Sequence, residues 1–285
     1  SSTARNGTAA APITVKAEHE RQATLKSDPS TNKLIYFQNC SWWRWEGIIF
    51  RGTSVPTTDS EYLIWWKNSH NNVFRRNILF EINCADGNKD CAPFGLVNGG
   101  STYNLIEENE ILRYRAHNLN FYDGVGNIVR RNYCNPRDYN VWIVPYSLTG
   151  GNCFDFYHSS DNIAENNIAE TSSLPSQHGG ANIGLGMWRP SPASNNKFLG
   201  NIVINGMTIF KSFDCNDPNG RAYNNVLENQ VIYYNSPRQH EPWPAIWQRG
   251  GVGFAIKNIS VINVETTAFV ADASDPLWPP QTSCP

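Results

Sequence analysis

Charge is scarce in this chain of 285 residues: charged side chains are 17% of it, with 23 Lys and Arg against 25 Asp and Glu. The formal charge of −2 supplies no electrostatic footprint for nucleic acid or an anionic membrane. Long apolar runs are also missing. None approaches the ~18–20 residues that a membrane-spanning helix needs. There is no CxxC and no Cys/His pair at ligand spacing, which speaks against structural zinc. No secretory leader opens the sequence, which reads as a mature chain, a fragment or a cytosolic protein. Only two Met are present, while Asn and aromatic residues abound, a composition that favours strands and turns over helices.

Seven cysteines stand at 40, 84, 91, 134, 153, 215 and 284. Cys84 and Cys91 flank the polar stretch ADGNKD, which a disulfide would close, and Cys134 with Cys153 would close a longer loop. Such local pairs predict an oxidising, extracellular or cell-surface setting, the alternative being buried free thiols. Seven is odd, so one thiol stays free or pairs between chains, and Cys284 near the C-terminus is the expected one.

A short phrase recurs. NNVFRRNI at 71–78 is followed by YNLIEENEI, GNIVRRNYC and DNIAENNIA. Aligned on its second Asn, the phrase gives Asn77, Asn109, Asn132, Asn167, Asn201 and Asn229. Another Asn lies five residues earlier in each copy, at 72, 104, 127, 162, 196 and 224. Degenerate copies surround Gly47 and Asn263. Repeats of this length signal a solenoid, a propeller or an array. No 3.6-residue apolar period survives, so helical repeats are excluded, and each unit is too short for a four-stranded blade. About three short strands per unit, with loops of variable length, predict an all-β, single-stranded right-handed parallel β-helix of eight to nine coils. It is expected to fill residues 1–275, followed by a Pro-rich tail over 276–285.

In that arrangement the Asn side chains stack from coil to coil and satisfy one another. The charges reverse for a related reason. Coils lie ~4.8 Å apart, so one column reads Arg75, Glu107, Arg130, Glu165 and the next Glu46, Arg76, Glu108, Arg131. Alternating signs pair where like signs would repel.

GTAAAPITVKAE at 7–18 followed by SWWRWEGIIFRG at 41–52 resembles the opening coils of the pectate-lyase-like superfamily, in the broad group of secreted β-helix proteins around alginate lyases and chondroitinase B. There a GTxxxPIxIxAE phrase precedes a strand–DGxxF coil. Members of that group usually carry one further coil and an N-terminal cap, which this chain is expected to lack. The resemblance implies an architecture and leaves activity open. The polygalacturonase motifs NTDG, DD, GHG and RIK are absent, as is the pectate-lyase RxPxxR.

In such folds the strand preceding the anchor strand floors the substrate groove. The corresponding stretches are NLNFYDG, NCFDFYHSS, ANIGLGMWRP and TIFKSFDCND. Alternation places Asn120, Tyr122, Asp155, Tyr157 and Trp188 on the outward, substrate-binding side. Uronate β-elimination needs a cation for the carboxylate and a base for the C5 proton, and Lys211, Arg189 and His158 are the right types on adjacent coils. Hydrolysis would need two carboxylates, for which Asp155 and Asp214 are the obvious pair. Asp86, Asn88 and Asp90 alternate as a fragment of a calcium loop would, without its closing Glu, which makes Ca²⁺ a candidate cofactor. Trp65, Trp66, Trp142, Trp188, Trp243 and Trp247 are expected in or beside loops, where aromatic rings suit sugar faces and protein interfaces alike.

Two functions compete. One is a secreted protein that binds or processes an extracellular polysaccharide, by lyase-type elimination if it is an enzyme. The other is a structural subunit of a fibre, spike or adhesin that associates with itself through open β-helix ends.

Overall fold

A computed structural model describes residues 5–28, 33–52, 62–80, 92–96, 100–112, 117–135, 152–170, 183–188, 193–211, 223–234, 245–249, 253–263 and 269–271. Among these residues there are strands and bends but no helix, so none is long and apolar enough to cross a membrane. Strands run from β1 (Ile13–Lys16) to β27 (Phe269–Ala271). They sort into three sheets of nine, each taking every third strand in chain order. Every pairing is parallel, as between Leu105–Glu107 and Ile128–Arg130. The described residues therefore form nine coils of a parallel β-helix, with one strand of each coil in each sheet.

The local sequence dictates this path. Strands of the first two sheets are mostly three residues long and bury the middle one: Phe74, Ile106, Val129, Ala164 and Phe198 in the first sheet, Leu79, Ile111, Cys134, Ala169 and Val203 in the second, with Glu107, Asn135 and Glu170 buried beside theirs. Period-2 alternation turns those side chains inward. Third-sheet strands are longer and send two rings inward, such as Phe154 and Phe156. Aromatic contacts then run between sheets, Phe156 meeting Phe198 edge-on at 5.4 Å.

From the third coil onward the bend from the first sheet to the second takes two residues, and in the second coil Gly47 and Ile48 stand in their place. The first has a left-handed backbone: Gly47, Arg76, Glu108, Arg131, Asn166, Gly200, Asn229 and Asn258 all have φ between 51° and 67°. The second points inward as Asn77, Asn109, Asn132, Asn167 and Asn201, all buried. Asn132 Nδ2 donates to Asn167 Oδ1 and to the Ile106 carbonyl, each at 3.0 Å, while its own Oδ1 accepts from Asn109 Nδ2 at 2.9 Å. Every lone pair and proton of the amide has a use, which offsets the cost of burying it. A parallel ladder precedes the first sheet through Asn72, Asn104, Asn127, Asn162, Asn196 and Asn225.

The terminal copies correct the repeat as read from sequence. Asn229 and Asn224 are exposed, left-handed residues, and their neighbours Gln230 and Asn225 are buried in the ladder positions. Gln230 Nε2 donates to the Phe198 carbonyl at 3.0 Å, the bond that Asn201 makes to Ala164 one coil earlier. At the other end Ile48, not Gly47, faces Asn77, so Glu46 pairs with Arg75 and belongs to that column. Near the C-terminus the bend between the first two sheets falls at Asn258, five residues before Asn263, which is itself left-handed beyond the second-sheet strand Ser260–Ile262, and Ser260 of that strand pairs with Val231. The slips at Gly47, Asn224 and Asn229 are one residue each, in copies where the anchor Asn is missing or doubled.

The corrected charge column runs Lys16, Glu46, Arg75, Glu107, Arg130, Glu165. Glu107 is buried and meets Arg130 at 2.8 Å and Arg131 at 2.9 Å. The hydrogen bond from Arg130 to Glu107 pushes the Arg130 guanidinium further up from its already high value. Arg21 of the first coil reaches across the bends, pairing with Glu110 and donating to the Arg76 and Glu108 carbonyls.

Cys134 and Cys153 form a disulfide that ties a second-sheet strand to the next third-sheet strand. Cys40 is the free thiol among the described residues, and burial pushes it up from its ordinary value. Cys84, Cys91, Cys215 and Cys284 lie outside them.

Candidate functional site on the third sheet

The four stretches singled out in the sequence fall on successive third-sheet strands: β12 (His117–Tyr122), β15 (Asn152–Tyr157), β18 (Ile183–Trp188) and β21 (Met207–Lys211). Tyr122 pairs in register with Tyr157, and Tyr157 with Trp188. Met187 pairs with Phe210, so the following residues, Trp188 and Lys211, share a position. Lys211 pairs in turn with Arg249 of β24 (Ile246–Arg249). Two Tyr, a Trp, a Lys and an Arg thus stand on one column, spaced ~4.8 Å apart. The Tyr122 and Tyr157 rings are stacked, with centroids 4.5 Å apart and planes 11° apart. Towards the N-terminus the same column reaches Lys67 and Gln38.

A second column runs Tyr36, Trp65, Gly95, Asn120, Asp155, Gly186. Asn120 and Asp155 alternate with inward Phe residues, as expected, yet both are buried. An outward position on this sheet is therefore not always open to solvent. Asn120 Oδ1 makes no hydrogen bond. Tyr157 is buried as well, whereas Tyr122 and His158 are half-buried. His158 immediately follows Tyr157 in a left-handed conformation, at φ 48°. Among the described residues of these strands, the accessible part of the column thus lies at Tyr122 and His158.

The remaining expectations separate. Arg189, Asp214, and the calcium-loop candidates Asp86, Asn88 and Asp90 lie outside the described residues, as do Trp142 and Trp243. Among the described residues no three His, Cys, Asp or Glu gather as a metal group. Trp65, Trp66, Trp188 and Trp247 stand in strands rather than loops, and Trp66 is wholly buried in the core. Lys67, Gln38 and Arg249 were missed. Their signal was the parity of KLIYFQ, YLIWWK and IWQR, visible only once the strands are paired.

No protein-family model matches the chain, and no curated protein sequence matches it. Among solved structures the chain is similar to pectate lyase Pel9A, at 12% identity and a TM-score of 0.47, over 99% of this chain and 67% of that one. It is also similar to the catalytic domain of a GH87 alpha-1,3-glucanase in complex with nigerose, at 12% identity and a TM-score of 0.42, over 95% of this chain and 55% of that one. A third similarity is to the A-module of the mannuronan C-5 epimerase AlgE6 of Azotobacter vinelandii, at 12% identity and a TM-score of 0.32, over 83% and 66%. The chain thus spans little more than half of the glucanase domain. Likenesses of this size bear on neither substrate nor activity, which are argued below from the chain's own residues.

Proposed function

We propose that this protein binds an acidic extracellular polysaccharide along the Tyr122–Tyr157–Trp188–Lys211 column of the third sheet. The observation that carries this reading is the register, which strings aromatic residues and two cations on one line parallel to the helix axis. Aromatic faces suit the C–H faces of sugars, and a Lys and an Arg on adjacent coils suit carboxylate groups. The Cys134–Cys153 disulfide supports an oxidising compartment.

In the enzymatic form of the proposal, Lys211 neutralises the uronate carboxylate and so acidifies the C5 proton. His158 takes that proton as the C4–O bond breaks, with Arg189 as a second cation for the carboxylate. A C4=C5 double bond forms, and the proton held by His158 passes to the departing oxygen. No step here runs through a metal.

The test is a screen of alginate, pectate and glycosaminoglycans, with and without calcium, for binding and for the ultraviolet absorbance of unsaturated products. Lys211→Ala should abolish cleavage where it occurs and weaken binding where it does not, with the melting temperature little changed. Binding of no acidic polysaccharide at all would sink the proposal.

A second reading, a self-associating structural subunit, draws on the outward face of the second sheet. Ile168, Ile202 and Ile262 there are 37%, 36% and 44% exposed, which is apolar surface of the kind that interfaces cover. Sedimentation of the parent against Ile202→Lys tests it: a larger parent particle that the variant breaks down would favour this reading.

A further inference from the structure

The third sheet carries aromatic surface beyond the proposed binding column. Tyr36 in β3 (Lys33–Gln38) and Trp65 in β6 (Tyr62–Lys67) are register partners on the first two coils. Their rings meet edge to face, with centroids 5.7 Å apart and planes at 76°. Tyr36 is 49% exposed, the largest such exposure of an aromatic residue described on this sheet. Its hydroxyl donates to Gln38 Oε1 at 3.0 Å. Gln38 is itself exposed and sits beside Lys67 in register. Beyond them, Asn39 and Asn68 hold left-handed turns, exposed, with Asn68 Nδ2 donating to Asn39 Oδ1 at 2.7 Å.

We infer that Tyr36 and Trp65, with Gln38 and Lys67, form a separate subsite for an acidic sugar at the N-terminal end of the third sheet. Two perpendicular rings offer a floor and a wall for one pyranose. The amide of Gln38 supplies both donors and an acceptor for hydroxyls, and Lys67 supplies a cation for a carboxylate. That cation is the reason for preferring an acidic sugar to a protein partner. Two rings are also far too little surface for a stable protein interface.

Continuity points the same way. Lys67 lies on the column that leads to Tyr122. Trp65 and Tyr122 stand two coils apart, roughly 10 Å along the axis. On the coil between them the position next to Trp65 is Gly95, which has no side chain. A glycan lying on the Tyr122–Lys211 column therefore reaches Tyr36 only if it is long enough to pass that coil. The inference rests on the binding column proposed above, and adds to it a preference for longer chains.

The test compares short and long size fractions of alginate and of pectate on the parent, on Tyr36→Ala and on Lys211→Ala. Tyr36→Ala should weaken binding of the long fraction about three- to tenfold and leave the short fraction unchanged. Lys211→Ala should weaken both. If Tyr36→Ala lowers the melting temperature by more than a few degrees, Lys67→Ala replaces it and should give the same length-dependent loss. Should the variants affect long and short fractions equally, or affect neither while Lys211→Ala weakens both, the subsite is wrong and the binding column stands. Should neither fraction bind the parent, the column fails and the subsite with it. Loss of a dimer on Tyr36→Ala, without change in glycan binding, would assign the rings to self-association and overturn the inference.

Discussion

Asn132 sits mid-ladder, with both amide protons given to oxygens and its carbonyl oxygen accepting from Asn109. Asn132→Asp would set a buried carboxylate oxygen against the Ile106 carbonyl and Asn167 Oδ1. The expected loss is roughly 3 kcal/mol or more, readable in denaturant unfolding. A variant as stable as the parent would contradict the ladder. The neighbouring slip gives a second residue-scale test. Asn229 is exposed at φ 56°, a backbone that Gly adopts without strain, so Asn229→Gly should change stability by less than about 0.5 kcal/mol. Gln230→Ala, which leaves the buried Phe198 carbonyl without its donor, should cost about 1–3 kcal/mol. The reverse order of effects would restore Asn229 to the ladder.

At the scale of the strand, the alternating charges are a register device. Arg130 lies between Glu107 and Glu165 on adjacent coils, and Glu107 also holds Arg131. Exposed pairs of this kind are worth ~0–1 kcal/mol each, but Glu107 is buried, so an unpaired charge there costs more. Arg130→Glu should destabilise, and adding Glu107→Arg should recover part of the loss in a double-mutant cycle. Absence of any coupling would mean the two coils are not neighbours. The reading of these columns from sequence succeeded where the phrase was intact, as at RRN, EEN and RRN. It slipped at WEG and at ENQ, because a left-handed bend accepts Gly or Asn equally well while the ladder accepts Asn or Gln. Spacing alone cannot tell the bend residue from the ladder residue. The site columns were legible as residue types in alternation. Burial of Asn120 and Asp155 was not, because alternation reports the direction of a side chain and says nothing of what covers it.

For the whole molecule, nine coils stacked by parallel pairing leave each coil dependent on its neighbours, and the Cys134–Cys153 bond pins the middle of the stack. With a sequence separation of 19 residues, its removal by a double Cys→Ala change should cost about 3 kcal/mol. The check is a lower melting temperature for the variant than for the oxidised parent, with a reduced parent falling towards it. The central claim is that an acidic glycan lies on the third sheet. Oxidative footprinting of aromatic side chains, with and without saturating alginate or pectate oligosaccharide, tests it most directly. Tyr133 and Tyr233, half-buried on the second sheet, serve as internal controls. The account predicts that Tyr122 and Trp188 become protected while Tyr133 and Tyr233 react as before. Protection of the controls without Tyr122 and Trp188, or no protection anywhere on a saturated protein, would contradict it.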